Sequence, residues 1–173
     1  MKKNILFMML IPFLLSCGNE KKRPVYYDID ESVEWSLYAE SGAEVVVPFN
    51  NKNGVKYVPV KVNGVGFEMI FDTGCSGALI SVAEANYLYQ KGKLTSDDFL
   101  GVAQSKIADG SVVEDMIVNL QEVVINDQIL CPNVRATVSA NIDAPLLLGN
   151  EILDRLATIT IDNENETLNF KLK

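Results

Sequence analysis

The sequence predicts a mostly-β, barrel-like domain with one or two short helices. Three observations carry this. Residues 57–71 alternate apolar and polar side chains around Asn63-Gly64, a pair that tolerates the positive φ angles of a tight hairpin turn. Residues 102–125 repeat that arrangement around Asp109-Gly110. Only the segment opening at Ser81 combines a helix start signal with helix-compatible bulk. A chain of 173 residues, 48% hydrophobic and 22% charged, suits a single domain of this kind and shows no internal repeat or low-complexity tract.

The first residues are an address. Lys2 and Lys3 form a positive start, and residues 5–15 form an apolar run interrupted by Pro12, shorter than the ~20 residues needed to span a bilayer. The run ends in Leu14-Leu15-Ser16-Cys17, which resembles the bacterial lipobox, where a cysteine is lipidated on sulfur and becomes the mature N-terminus. The alternative is a plain secretory peptide with an incidental Cys17. Residues 1–16 are therefore expected to be a signal peptide, residues 17–43 a tether, and residues 44–173 the folded domain. Loss of Lys2 and Lys3 takes the formal charge from −8 to −10, so an acidic protein beside an anionic leaflet needs the lipid on Cys17 to stay there. Gly18 and Asn19 follow Cys17 without an Asp, which by resemblance to Gram-negative sorting rules points to the outer membrane, hence a lipid-anchored protein of the cell envelope. Tyr26, Tyr27, Trp35 and Tyr38 in the tether either cover the domain or form a partner site.

The strands begin at about residue 44. Residues 45–49 are apolar; residues 57–62 put Val58, Val60 and Val62 on one face; and residues 65–71 return with Val65, Phe67, Met69 and Phe71 on one face. This last strand runs straight into Asp72-Thr73-Gly74-Cys75-Ser76-Gly77, so a carboxylate sits where a core strand breaks. Ser81-Val82-Ala83-Glu84 is a capping box, and the helix it opens ends before Gly92. The hairpin of residues 102–125 follows, with Val118, Leu120 and Val124 expected on one face. Asn126-Asp127 turns the chain, residues 128–131 and 134–138 read as two strands split by Pro132-Asn133, and residues 144–148 are an apolar run ending at Gly149. A short helix over residues 150–156 and a closing hairpin of residues 158–162 and 167–172 complete the chain.

Composition narrows the chemistry. With no histidine, the chain lacks the Ser-His-Asp triad, the Cys-His pair, a His-ligated zinc and the usual proton shuttle near neutral pH. A surplus of acids and the lack of a basic stretch argue against a nucleic-acid partner. No acidic segment has the EF-hand spacing and Gly64-Val65-Gly66 lacks the third glycine of a phosphate cradle, so no metal or cofactor is implied. Ser76 or Ser81 with a lysine lacks a Ser-x-x-Lys motif, and Cys75 lacks an activating base. Cys75 and Cys131, left after Cys17, are either paired or, as the expectation favours, two buried thiols.

The apolar strand ending in Asp72-Thr73-Gly74-Cys75-Ser76, the hairpin tipped by Asp109-Gly110 and the late Leu146-Leu147-Leu148-Gly149 together resemble the retropepsin-like aspartic proteases, including bacterial lipoprotein members. The likeness covers residues 45–172. It implies a retropepsin-like fold and an aspartic endopeptidase in which a water between two carboxylates attacks the peptide bond. Asp72 would supply the carboxylate, Thr73 a hydroxyl and an amide to the surrounding network, Gly74 a close approach of two loops, and Ser76 a second hydrogen bond to Asp72. The run from Leu146 through Leu148 to Gly149 would form an apolar floor beneath the Asp72 loop, and Ala108, Asp109 and Gly110 the tip of a flap over an extended peptide. Because the chain holds one Asp-Thr-Gly, a complete site would need a homodimer, each chain giving one Asp72. The alternative is a non-catalytic lipid-anchored module that binds peptides or proteins in the same cleft. Gly149 precedes Asn150 where viral members carry an arginine, so an arginine lock on the dimer is not implied.

Overall fold

Alternation in the sequence becomes alternation of burial along the strands. The computed structural model describes residues 42–106 and 110–173. The expected signal peptide, Cys17, the aromatics of the expected tether, and Ala108 and Asp109 of the expected flap tip lie outside the described residues. Strand β1 (Glu44–Pro48) buries Val45 and Val47, and a short β2 (Asn50–Lys52) turns through Asn53-Gly54 into β3 (Val55–Val62). In β3 the side chains of Val58, Val60 and Val62 are buried, as the alternation predicts. Asn63 (φ 48°) and Gly64 (φ 80°) both adopt positive φ, the geometry of a type I′ turn, and β4 (Val65–Phe71) returns antiparallel. Met69 of β4 is fully buried, while Val65, Phe67 and Phe71 pack half-buried against the core.

After β5 (Ala78–Ser81) the capping box forms as its residues dictate. The Ser81 hydroxyl accepts the Ala83 amide at 3.0 Å and the Glu84 carboxylate accepts the Ser81 amide at 3.1 Å, opening α1 (Val82–Gln90). A 3-10 turn over Ser96–Asp98 leads into β6 (Phe99–Lys106), which pairs with β7 (Val112–Ile125). Asn126 and Asp127, again at positive φ, join β7 to β8 (Ile129–Ser139). β9 (Leu147–Leu148), α2 (Asn150–Leu153), β10 (Leu156–Asp162) and β11 (Thr167–Leu172) follow.

The larger sheet has the order β2-β3-β4-β9-β5-β8-β7-β6, and an added pairing of β3 with β7 closes the strands from β3 through β4, β9, β5 and β8 to β7 into a ring. β1, β11 and β10 form a separate three-stranded sheet that shares one apolar core with the ring, Leu168, Phe170 and Leu172 packing with Val58, Ile80 and Leu148. The fold is mostly β with two short helices, as expected.

Three local expectations are corrected. Residues 128–131 and 134–138 are one strand, β8, not two. Pro132 is tolerated because its carbonyl accepts Arg155 Nη1 at 2.6 Å and so faces away from β7. The missing N–H of the same residue points to that side too, where β5 covers only Ala136 to Ser139. The helix expected over residues 150–156 is a single turn, because Leu156 already pairs with Leu172 in β10. Val118 and Leu120 are fully buried, but beyond Glu122 the core takes Val123 and Ile125, while Val124 lines an outer cavity with Pro59, Lys61 and Phe67. The change comes where β7 leaves β6 and closes on β3, at Val62↔Val123 and Val60↔Ile125.

Candidate active site

Asp72 sits one residue beyond the end of β4, and its position is set by a parallel neighbour. β9 pairs parallel to β4 at Ile70↔Leu147 and Phe71↔Leu148, and antiparallel to β5 at Leu79↔Leu147. The Ile70 amide donates to Leu146 O at 2.8 Å and the Asp72 amide to Leu148 O at 3.2 Å. The loop of residues 72–77 therefore leaves β4 and returns as β5 astride β9. Leu148, whose carbonyl accepts the Asp72 amide, has a fully buried side chain.

Gly149 sits where the two segments cross. A Cβ at this position would fall 2.0 Å from Gly77 O and 2.7 Å from Cys75 O, both backbone atoms, so only glycine fits. The next turn clasps the loop: the Asn150 amide donates to Cys75 O at 2.9 Å and the Glu151 amide to Ser76 O at 3.1 Å. Asn150 Nδ2 donates to Thr73 O at 3.2 Å. Within the loop, the Gly74 amide donates to Asp72 Oδ1 at 2.8 Å. Gly74 also needs its small size, since a Cβ there would stand 3.1 Å from that same oxygen.

Asp72 is half-buried, and Thr73, Gly74 and Ser76 are exposed, so the carboxylate lies at an open face of the loop. One backbone donor leaves its remaining lone pairs available to a water or to a second carboxyl group. Ser76 differs from expectation: it offers its carbonyl to Glu151 rather than its hydroxyl to Asp72. Thr73 takes part through its carbonyl. Gly110, expected at the tip of a flap, is exposed at φ 88° with open space around it; Ala108 and Asp109 beside it lie outside the described residues. Among the described residues no three acidic or cysteine side chains gather to hold a metal.

Of the two described thiols, both free, Cys131 is buried and Cys75 is only half-buried, its Sγ donating to Gly77 O at 3.1 Å. The expectation of two buried thiols thus holds for Cys131 alone. Burial pushes the Cys131 thiol up to about 11, although the Arg155 charge acts the other way.

The sequence profile of the gag-polyprotein putative aspartyl protease family matches residues 58–155, more than half of the chain, from within β3 to just past α2. The chain belongs to this aspartyl protease family. The chain is similar in structure to the crystal structure of a retropepsin-like aspartic protease from Rickettsia conorii, with a TM-score of 0.53 at 22% identity, covering 80% of this chain and 95% of that one. At that identity the likeness establishes the fold. No curated protein matches the chain.

In this member of the aspartyl protease family, two site-supporting residues escaped the sequence reading. Asn150 stands out only as the residue after Gly149, and its bond to Thr73 spans 77 positions. Arg155, six residues past Gly149, braces the far end of α2 by donating to Pro132 O, Asn133 O and Glu151 Oε1. The bonds to Thr73, Pro132 and Asn133 have no signature at short range; only the Glu151–Arg155 pair, four residues apart, does.

Proposed function

We propose that the chain is an aspartic endopeptidase whose site is made from two Asp72 carboxylates, one from each chain of a homodimer. The observation that carries this reading is the clasped Asp72 loop. A single carboxylate, fed by one amide from Gly74, faces outward from a loop whose backbone is fixed by β9 and α2. Two such carboxylates about 3 Å apart cannot both ionise cheaply, so they share one proton. The ionised member takes a proton from the water between them as it attacks the scissile carbonyl. The protonated member donates to the carbonyl oxygen. The resulting tetrahedral species collapses when the leaving nitrogen is protonated.

The β6–β7 hairpin, tipped by Gly110, covers an extended peptide and pairs with its backbone. Membership of the aspartyl protease family supports the chemistry; the single Asp-Thr-Gly supports the two-chain site. Lipid on Cys17 holds the mature protein at the cell envelope, on the outer membrane in a Gram-negative cell.

The test is hydrolysis of a denatured protein mixture with and without a transition-state-mimicking aspartic protease inhibitor. Asp72→Asn should lower the rate by roughly 10²–10⁴-fold without loss of fold, the range for removing a positioned acid-base group. Cleavage that ignores both the inhibitor and Asp72→Asn would sink the reading. Peptide binding without cleavage by the wild type would leave a peptide-binding module in its place.

A further inference from the structure

The peptide group between Thr73 and Gly74 is hydrogen-bonded at both ends. Its N–H, carried by Gly74, donates to Asp72 Oδ1 at 2.8 Å. Its C=O, carried by Thr73, accepts from Asn150 Nδ2 at 3.2 Å. A carbonyl oxygen has only lone pairs to offer, so the NH₂ of the Asn150 amide must be the end that faces it.

The other two ties from α2 to the loop are backbone bonds, from the amides of Asn150 and Glu151 to Cys75 O and Ser76 O. Any residue except proline would make them. The side-chain amide of Asn150 is the tie that depends on residue identity, and it falls on the one peptide that feeds Asp72. We propose that Asn150 is a positioning residue for the Asp72 carboxylate, acting through the Thr73–Gly74 peptide. This rests on the assignment of Asp72 as the reacting group.

Two physical effects do the work. The peptide is planar, so a donor that holds its C=O also holds the direction of its N–H. A carbonyl that accepts a hydrogen bond polarises its own amide, and each link of such a chain strengthens the next by roughly 10–30%. Asn150 therefore aims and strengthens the Gly74 donor without touching Asp72 or a bound peptide. Arg155 ties α2 to β8 through Pro132 O and Asn133 O and meets Glu151 rather than Asn150 or Thr73, so its loss tests the loop's general stability without removing the Asn150 donor.

The experiment uses the full chain labelled with ¹⁵N and reads the Gly74 amide by nuclear magnetic resonance, in the wild type, Asn150→Ala and Arg155→Gln. In Asn150→Ala the Gly74 proton should move upfield and exchange with solvent roughly fivefold to tenfold faster, the worth of one modest hydrogen bond. Arg155→Gln should lower Tm and leave the Gly74 resonance in place. On a cleaved peptide, Asn150→Ala should lower kcat by a similar factor with KM close to the wild-type value. If Asn150→Ala does not fold, Asn150→Asp, nearly the same shape without the donor, carries the same comparison.

An unchanged Gly74 amide in the Asn150 variant overturns the proposal. So does an equal change in Arg155→Gln, which would assign the effect to loop stability. A wild type that cleaves nothing removes the endopeptidase reading, while the Gly74 amide still decides whether Asn150 acts through this peptide.

Discussion

Gly149 carries the tightest steric demand among the described residues of the site. Its missing side chain lets the backbone after β9 lie against Gly77 O and Cys75 O, neither of which belongs to a flexible side chain that can swing aside. Gly149→Ala should therefore cost about 1–3 kcal/mol of stability, the usual penalty of overpacking, and displace the Asp72 loop as well. A thermal melt set beside a cleavage assay checks both; a variant with wild-type Tm would mean that the crossing is looser than this geometry. Cys75 and Cys131 make a second contrast at this scale. Half-buried Cys75 should react with a thiol reagent in the folded protein, whereas Cys131, buried and raised to about 11, should react only on unfolding. Labelling followed by peptide mass analysis separates the two, and equal rates would contradict the burial of Cys131.

The elements that frame the site are secured by short polar motifs. Ser81 caps α1 through its hydroxyl, so Ser81→Ala should destabilise the domain by about 1 kcal/mol, measurable by urea unfolding. Asp98 does similar work at the base of the β6–β7 hairpin. Burial opposes its ionisation, but the amide and hydroxyl of Thr95 and the Gln121 amide outweigh that cost and hold the carboxyl below the usual aspartate value of 3.8. A folded-state value below the unfolded one means that Asp98 stabilises the fold above 3.8 and that this contribution is lost as pH falls through the folded value. Urea midpoints taken on both sides of that pH should fall more steeply toward acid in the wild type than in Asp98→Asn. Parallel profiles would show that Asp98 is not linked to folding. At the other end of the hairpin, Gly110→Val places a β-branched residue at φ 88°, so peptide cleavage should weaken while the barrel stays folded. An unchanged rate on every peptide tested would reduce this tip to a surface turn.

Assembly is the prediction that belongs to the whole molecule. One chain carries one Asp-Thr-Gly, so a two-chain site makes activity depend on pairs. When Asp72→Asn chains exchange freely with wild type, the fraction of fully wild-type dimers varies as the square of the wild-type chain fraction. Activity per wild-type chain should then fall in proportion to that fraction, whereas a site complete within one chain would keep it constant. Constant specific activity in exchanging mixtures would end the dimer reading. The anchor is tested separately, since Cys17 lies far upstream of β1 in the sequence: Cys17→Ser should move the protein from the detergent phase to the aqueous phase. An intact mass showing no acyl group on the wild type would contradict the lipid.

What could be read along the chain was whatever a few neighbouring residues decide. The β3–β4 hairpin follows from alternating valines and from Asn63-Gly64, whose positive φ angles need no distant partner. The start of α1 follows from Ser81 and Glu84, three residues apart. The candidate carboxylate was legible through a resemblance: the apolar strand running into Asp72-Thr73-Gly74, the Asp109-Gly110 hairpin and the late Leu146-Leu147-Leu148-Gly149 together match the retropepsin-like pattern. Misreadings arose where a distant element overrides the local rule. Pro132 stays in β8 because Arg155 meets its carbonyl on the uncovered side; the helix after Gly149 stops after one turn because Leu156 is claimed by Leu172; and the core passes from Leu120 to Val123 because β7 closes on β3. The clasp on the Asp72 loop belongs to this second kind. Asn150 reaches Thr73, and Asn63 reaches the Glu122 amide, only after the barrel has brought together segments 77 and 59 residues apart. Turn chemistry and side-chain periodicity act over a few residues, but ring closure is a property of the assembled sheet, and the bonds that hold the Asp72 loop are among those it creates.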